Sequence, residues 1–309
     1  MDKILIFGHK SPDTDSVISA IVMENLEKNL GNDNVEACVL GKLNKETKFV
    51  LDYLNLKEPR YIEKIEDGQK VILVDHNEFK QSVEGIENSK ILKVIDHHTM
   101  DFKVSYQIYY HAEPVGCTAT VLYNMYKQNN IAVDKKIATL MLSCIISDTL
   151  LFKSPTCTKE DIKVAEELNK IAELKIEEYG IEMLKAGTDL SDLSADELVS
   201  LDAKEFVIGS NIKTIVAQVN TASIPDMLER KEEIEIAMQK VIDEKELDLF
   251  FFAITDIINS NSQVIALGKE ACLVERSYDV KLENNTAFLE GVVSRKKQII
   301  PVLTENVQK

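Results

Sequence analysis

Acidic side chains flank four of the five histidines of this 309-residue chain, in three clusters that each follow a short apolar run. The clusters are His9 with Asp13 and Asp15, then Asp75-His76-Asn77, then Asp96-His97-His98. Imidazole and carboxylate together are typical ligands of borderline-hard divalent metals, and no cysteine belongs to the clusters. This donor set predicts Mn²⁺ first, with Co²⁺ or Mg²⁺ as substitutes.

Six side chains are the candidate metal ligands: His9, Asp13, Asp15, Asp75, His97 and Asp148. A single divalent ion needs about four to six donors, so six donors that include bridging carboxylates suit two ions about 3.5–4 Å apart. Paired ions lower the pKa of a bound water toward about 7 and neutralise charge on an attacked phosphorus. The predicted reaction class is therefore metal-assisted phosphoryl hydrolysis.

Each cluster alone also fits a structural role. An Asp after a strand often caps the next helix, so Asp15 or Ser16 could cap the first helix, and Asp96 could accept hydrogen bonds from loop amides. His111 is expected to be structural or exposed, and His76 could support the ligands from behind. Three such clusters at three strand ends favour the metal site over three separate structural roles.

Apolar runs at residues 3–7, 35–40, 70–74 and 91–95 predict buried strands. Helical spacing follows at residues 17–26, 47–54, 118–127 and 135–146. Continuous apolar strands that alternate with helices indicate an α/β fold, with a parallel sheet covered by helices on both faces. Ligands of such sheets bind beyond the carboxyl ends of the strands, where all three clusters lie.

The alternation of apolar strands with helices ends at a stretch of small, polar residues. Residues 1–186 are predicted to form the metal-binding domain, 187–195 a linker or hinge, and 196–309 a smaller α+β domain with a mixed or antiparallel sheet. Further predicted helices are at 161–178 and 181–185, with one long charged helix from 223 to about 246. Predicted strands of the second domain are 202–208, 212–219, 249–254, 263–267 and 281–282.

A formal net charge of −16 argues against nucleic acid as a partner, because phosphate backbones bind basic faces. No apolar stretch is long enough for a membrane span, since Asp248 and Asp256 interrupt the longest one. Five cysteines without a C-x-x-C pair indicate a reducing, cytoplasmic location.

Ser294-Arg295-Lys296-Lys297 is a cluster of cations between two apolar, strand-like pairs at 292–293 and 299–300. Arginine binds phosphate oxygens in a fork and lysine adds a point charge. A solvated loop is the alternative interpretation, and residue types alone do not decide between the two.

Five strings of the chain resemble the Asp-His-His phosphoesterase superfamily, and more narrowly the family II, manganese-dependent inorganic pyrophosphatases. The strings are Gly8-His9-Lys10-Ser11-Pro12-Asp13-Thr14-Asp15-Ser16, Asp75-His76-Asn77-Glu78, Asp96-His97-His98, Ser147-Asp148-Thr149 and Ser294-Arg295-Lys296-Lys297. They extend from the start of the chain to near its end, so the resemblance is essentially full length.

The resemblance implies hydrolysis of pyrophosphate to two phosphates by a hydroxide that two metals activate, with substrate held between two domains. It assigns His9, Asp13, Asp75 and Asp148 to one metal. It assigns Asp15, Asp75, His97 and Asp148 to the other, so that Asp75 and Asp148 bridge. The substrate-binding residues that it implies are His98, Lys204, Arg295 and Lys296.

The resemblance also implies two Mn²⁺ per subunit, further Mg²⁺ or Mn²⁺ that arrives with substrate, a homodimer through the first domain, and domain closure about the linker. Three alternatives remain at this stage. They are a short-chain exopolyphosphatase or related phosphoesterase, a non-catalytic metal-binding scaffold, and an exonuclease, which the acidic charge and the lack of a glycine-rich, histidine-containing motif disfavour.

Overall fold

A computed structural model describes residues 3–307 and divides the chain into two compact units. The first unit extends to Gly187 and the second begins at Thr188. The first is built on a parallel sheet and the second on a mixed sheet, which confirms the predicted fold class.

Six strands form the sheet of the first unit: β1 (Ile4–Phe7), β2 (Val35–Val39), β3 (Arg60–Tyr61), β4 (Lys70–Val74), β5 (Lys90–Asp96) and β6 (Tyr109–Ala112). Their spatial order is β3-β2-β1-β4-β5-β6, and every neighbouring pair is parallel. Strands β1, β4 and β5 are therefore adjacent, and these are the strands that precede the three clusters. The short, polar β3 and β6 carry too little apolar signal to be predicted.

The α-helices of the first unit are α1 (Thr14–Asn29), α2 (Lys45–Tyr53), α3 (Thr118–Gln128), α4 (Lys135–Asp148), α5 (Lys159–Ala172) and α6 (Ile176–Gly187). Ile6, Ile72 and Ile95 of the sheet share one core with apolar residues of α1, α3 and α4. The opposite sheet face packs on connections that contain two short 3₁₀-helices, Phe79–Gln81 and Ile86–Asn88.

The predicted single helix over 161–178 is wrong, because the chain forms α5 and α6 with a break between them. Glu173 adopts a left-handed conformation with φ 56°. The Asn169 side chain accepts a hydrogen bond from the Leu174 amide at 2.9 Å, which ends α5 in place of another helical turn.

The second unit has a five-stranded sheet made of β7 (Lys204–Ile208), β8 (Ile212–Thr221), β9 (Leu249–Asp256), β10 (Asn261–Leu267) and β11 (Thr286–Leu289). Its order is β11-β10-β9-β8-β7, with β8 and β9 parallel and the other pairs antiparallel. Four predicted strands are confirmed. The prediction of a strand at 281–282 is wrong, since the edge strand lies at Thr286–Leu289.

The helices of the second unit are α7 (Ala195–Ser200), α8 (Ile224–Leu228), α9 (Lys231–Lys245), α10 (Cys272–Tyr278) and α11 (Ile300–Glu305). The predicted long helix from 223 to 246 is therefore wrong. It breaks before α9 at Arg230, whose guanidinium donates to the carbonyls of Leu190 at 3.1 Å and Leu193 at 2.8 Å.

The cation cluster Ser294-Arg295-Lys296-Lys297 does not lie between two strands, although the apolar pairs beside it in the sequence suggested this. Arg295–Ile299 form one turn of π-helix that leads directly into α11. Ile299 and Leu303 are buried because this turn and α11 pack on the sheet. Among residues 3–307, no helix has the length and apolarity that a membrane crossing requires.

Candidate metal centre

The carboxyl ends of three adjacent strands bring the predicted histidines and aspartates together. Asp75 follows β4 and lies between the two imidazoles: its Oδ2 is 3.5 Å from Nε2 of His9, and its Oδ1 is 3.4 Å from Nε2 of His97. His9 Nε2 also lies 3.4 Å from Oδ2 of Asp13. Each oxygen of Asp75 thus faces a different imidazole, which is the geometry that a bridging carboxylate needs.

Two helix ends supply the other candidate ligands. Asp15 is in the first turn of α1 and Asp148 is the last residue of α4. Ligand atoms of Asp15, His97 and Asp148 lie within 4.8 Å of one another, as do those of His9, Asp13 and Asp75. A third such group, Asp75 with His97 and His98, shares one member with each of these two, so the structure brings all six predicted residues together. They adjoin a cavity of about 410 Å³, whose lining includes Asp13, Asp75, His97, His98 and Asp148.

Backbone carbonyls fix the orientation of both imidazoles. Nδ1 of His9 donates to the Lys10 carbonyl at 2.8 Å, and Nδ1 of His97 donates to the Val115 carbonyl at 2.9 Å. A hydrogen bond to one ring nitrogen leaves the other as the metal-facing atom. In both residues that atom is Nε2, which faces the carboxylates.

Thr118, the first residue of α3, holds two of the carboxylates at once. Its amide donates to Oδ2 of Asp15 at 2.7 Å, and its hydroxyl donates to Oδ1 of Asp75 at 2.9 Å. Ser19 donates to the other oxygen of Asp15 at 2.7 Å. The sequence prediction missed Thr118, because a threonine that begins a helix carries no local sign of contact with residues 103 and 43 positions away.

The electrostatics of the site fit divalent cations. Burial and the Asp75 carboxylate raise the pKa of Asp15 to about 6, and burial with Asp15 and Asp75 raises the pKa of Asp148 well above its usual range. Burial alone would lower the pKa of His9, but hydrogen bonds with Asp13 and Asp75 outweigh it and raise the pKa to about 11. Carboxylates this close repel one another unless cations lie among them. Four carboxylates with two imidazole nitrogens suit a pair of Mn²⁺ ions.

Asp96, the last residue of β5, accepts hydrogen bonds from loop amides, which is the structural alternative considered for it. It accepts hydrogen bonds from the amides of His97 at 2.8 Å and His98 at 3.1 Å, and from Nδ1 of His98 at 2.9 Å. The Asn77 side chain donates to its other oxygen at 2.6 Å. The His98 ring is half-exposed and lies 3.7 Å from Asp75, and its bond to Asp96 raises its pKa.

The residue that caps α1 is neither Asp15 nor Ser16 but Asp13, which corrects that alternative. Oδ1 of Asp13 accepts a hydrogen bond from the Ser16 amide at 2.9 Å, while its Oδ2 faces His9. A carboxylate has two oxygens, so capping the helix leaves one oxygen directed into the site.

Two histidines lie outside these groups. His76 is buried, with Nδ1 2.9 Å from the Val74 carbonyl and Nε2 3.2 Å from the Ser82 hydroxyl. His111 pairs with Glu113 at 2.8 Å on the edge strand β6. Both contacts are structural, as expected for His111.

The turn after Asp148 has an unusual backbone. Leu150, Leu151 and Phe152 are consecutive and have φ of 47°, 53° and 67°. Each left-handed non-glycine residue costs about 1–2 kcal/mol. Hydrogen bonds hold the turn, among them one from the Leu151 amide to the Ile146 carbonyl at 3.0 Å. Bulky side chains give no sequence signal for such a turn, which leads to Thr156 at the cavity wall.

Lys204, Arg295 and Lys296 lie in the second unit, with Lys204 as the first residue of β7 and Arg295 near the start of that strand. Arg295 forms an ion pair with Asp202, with Nη2 2.9 Å from Oδ1, and also donates to the Asp202 carbonyl. Its Nη1 lies 3.4 Å from the carbonyl of Val216, the register partner of Lys204. The fold thus brings Arg295 close to Lys204, although 91 positions separate them. Asp202 was not among the predicted site residues.

Two family models match the chain, and they match it in the order of its two units. The DHH family N-terminal domain matches residues 3–145, and the DHHA2 domain matches residues 181–306. These matches define the class: a DHH domain followed by a DHHA2 domain.

Relatives that match nearly the full length of the chain narrow this class to one family. The manganese-dependent inorganic pyrophosphatase of Bacillus subtilis (strain 168) is 54% identical over 307 residues, which cover 99% of each chain. A crystal structure from Methanococcus jannaschii, assigned to the family II inorganic pyrophosphatases, is 37% identical with a TM-score of 0.61 and covers 98% of this chain and 99% of that one. The chain belongs to the family of manganese-dependent inorganic pyrophosphatases, and the predicted resemblance is confirmed.

A more distant structure shares the fold alone. An exopolyphosphatase-related protein from Bacteroides fragilis has a TM-score of 0.50 at 15% identity, covering 99% of this chain and 92% of that one.

Proposed function

We propose that this protein hydrolyses inorganic pyrophosphate to two phosphates with the help of two Mn²⁺ ions. The observation that carries the proposal is the position of Asp75 between His9 and His97, each of which belongs to a separate group of potential ligands. Membership of the family adds the substrate, since the 54% identical Bacillus subtilis relative is a pyrophosphatase.

The proposal assigns one ion to His9, Asp13, Asp75 and Asp148, and the other to Asp15, Asp75, His97 and Asp148. Such a pair supplies positive charge that lowers the pKa of water and neutralises phosphoryl oxygens. The chain's own contribution is to hold the ligands in place beforehand: Thr118 fixes Asp15 and Asp75, and the carbonyls of Lys10 and Val115 fix the imidazoles.

His98 is proposed to donate a proton to the leaving phosphate. Its Nδ1 is engaged by Asp96, so its Nε2 is the ring nitrogen available to substrate, and the Asp96 contact favours the protonated ring. Lys204, Arg295 and Lys296 are proposed to bind the phosphoryl oxygens, with further Mg²⁺ or Mn²⁺ arriving on the substrate. Cations stabilise the charge that collects on a leaving phosphate.

Phosphate release after chelation tests the reaction. The protein is treated with a chelator, desalted, and assayed with pyrophosphate and with tripolyphosphate, each with Mn²⁺ or Mg²⁺ added back. We expect no turnover in the chelated sample and recovery of pyrophosphate hydrolysis with Mn²⁺. Faster release from tripolyphosphate would favour the exopolyphosphatase alternative, and metal binding without turnover would favour the scaffold.

We also propose a cytoplasmic location and a homodimer formed through the first unit. Cys38, Cys117 and Cys144 are buried free thiols, as suits a reducing compartment. The dimer follows from the family resemblance, and sedimentation velocity at micromolar concentration tests it. A single species at the monomer mass would reject it.

A further inference from the structure

Glu46 places a carboxylate behind the metal centre, in the first turn of α2. Its Oε1 accepts a hydrogen bond from the Thr14 hydroxyl at 2.5 Å and a second from the Ser147 hydroxyl. Thr14 and Ser147 are 133 positions apart, as follows from their separations of 32 and 101 from Glu46. One oxygen atom therefore accepts hydrogen bonds from two parts of the chain that are distant in sequence.

These two parts carry three of the four candidate acidic ligands. Thr14 lies between Asp13 and Asp15 at the start of α1, and Ser147 directly precedes Asp148 at the end of α4. The ligand atoms of Asp15 and Asp148 lie within 4.8 Å of each other, a separation at which two carboxylates repel. Some contact must hold the two helix ends together before a metal binds.

The surroundings of Glu46 keep its side chain in this position. Asn44 caps α2 by accepting a hydrogen bond from the Thr47 amide at 2.7 Å, and the Thr47 hydroxyl lies 3.2 Å from that of Thr14. On its other side, a Cβ atom at Gly187 would come within 2.9 Å of both Cβ and Oε2 of Glu46. The last residue of α6 thus leaves just enough room for this carboxylate.

We propose that Glu46 is a positioning residue: it sets the distance between the first turn of α1 and the last turn of α4, and so prepares Asp13, Asp15 and Asp148 to bind Mn²⁺. The inference rests on the proposed function, because it takes these aspartates as ligands. Its physical basis is preorganisation, since residues that orient metal ligands typically contribute 10–100-fold to metal affinity.

Titration of the metal-free protein with Mn²⁺, followed by the electron paramagnetic resonance signal of the free ion, tests the proposal. We expect Glu46→Ala to weaken Mn²⁺ binding by about tenfold or more. Glu46→Gln retains an acceptor oxygen for both hydroxyls and is expected to stay within about threefold of the unsubstituted protein. Ser147→Ala removes one of the two hydrogen bonds, keeps the carboxylate, and should give an intermediate loss even if Glu46→Ala fails to fold.

Glu27→Gln is the matched control. Glu27 is a buried carboxylate near the other end of α1, bonded to Lys93 at 2.5 Å and Asn32 at 3.0 Å. Its substitution should lower stability without changing Mn²⁺ affinity. Unchanged Mn²⁺ affinity in both Glu46→Ala and Ser147→Ala would overturn the inference, and so would equal losses in Glu46→Ala and Glu46→Gln. If the unsubstituted protein binds no Mn²⁺, the proposed function itself has failed.

Discussion

Replacing Asp75 by Asn is the perturbation that the geometry predicts to be most damaging. Its two oxygens lie 3.5 Å from His9 Nε2 and 3.4 Å from His97 Nε2, so one side chain serves both groups of ligands. In the metal-loaded protein the charge partners of this carboxylate would be the cations and not the neutral imidazoles, and one unit charge pair about 3.5 Å apart is worth about 5 kcal/mol at an effective dielectric constant of about 20. Since 1.36 kcal/mol corresponds to about a factor of ten, losing one such interaction predicts a decrease on the order of a thousandfold.

Two measurements on Asp75→Asn check this prediction: kcat for pyrophosphate at saturating Mn²⁺, and the number of Mn²⁺ ions retained per chain after dialysis. We expect kcat to fall by about 10³ or more and at least one ion to be lost. His111→Asn is the control, because His111 pairs with Glu113 outside the site and should leave both quantities unchanged. A variant that keeps two ions and a kcat within threefold of the original would refute the assignment of Asp75 as a bridging ligand.

Three further predictions follow from the same site. Because the pKa of His9 is raised to about 11 and that of His97 to about 9, both rings are protonated at pH 7 without metal, and Asp148, whose pKa is also raised, adds to the protons that Mn²⁺ must displace; we expect a release of about two protons or more. Calorimetry in buffers of different ionisation enthalpy measures this release, and its absence would contradict the predicted ligands. Thr118→Val should weaken Mn²⁺ binding about tenfold by removing the hydroxyl bond to Asp75, while Thr118→Ser, which keeps it, should not. Gly8→Ala should lower the free energy of unfolding in urea by at least about 1–3 kcal/mol, because the new Cβ would lie 2.6 Å from the Ser16 carbonyl oxygen; an unchanged value would show that the start of α1 can shift.

The residue pattern predicted the metal centre because its positions are set by strands that are easy to recognise. His9, Asp75 and His97 follow apolar runs that become β1, β4 and β5, and adjacent parallel strands must present their carboxyl ends at one edge. The local sequence determines neither the order of the strands in the sheet nor the position of α4 beside their carboxyl ends. Spacing alone therefore supported Asp148 less than the other five candidate ligands, since an Asp at the end of a helix is common.

What sequence reasoning missed depends on contacts between distant residues. The bond from Thr118 to Asp75 spans 43 positions, and that from Ser147 to Glu46 spans 101. The left-handed turn at Leu150–Phe152 contradicts the local preference of bulky residues, and it is stabilised by hydrogen bonds and by the packing of Leu151 and Phe152 against the core. The break between α5 and α6 depends on one side chain, Asn169, that competes with the helix backbone for an amide.

The most direct test of the central claim is an electron paramagnetic resonance titration of the metal-free chain with Mn²⁺. Two ions that share Asp75 and Asp148 would lie about 3.5–4 Å apart, which is close enough for their spins to couple. We predict two ions per chain and an exchange-coupled spectrum once both are bound. A single bound ion, or two ions with the spectrum of isolated Mn²⁺, would contradict a paired metal centre.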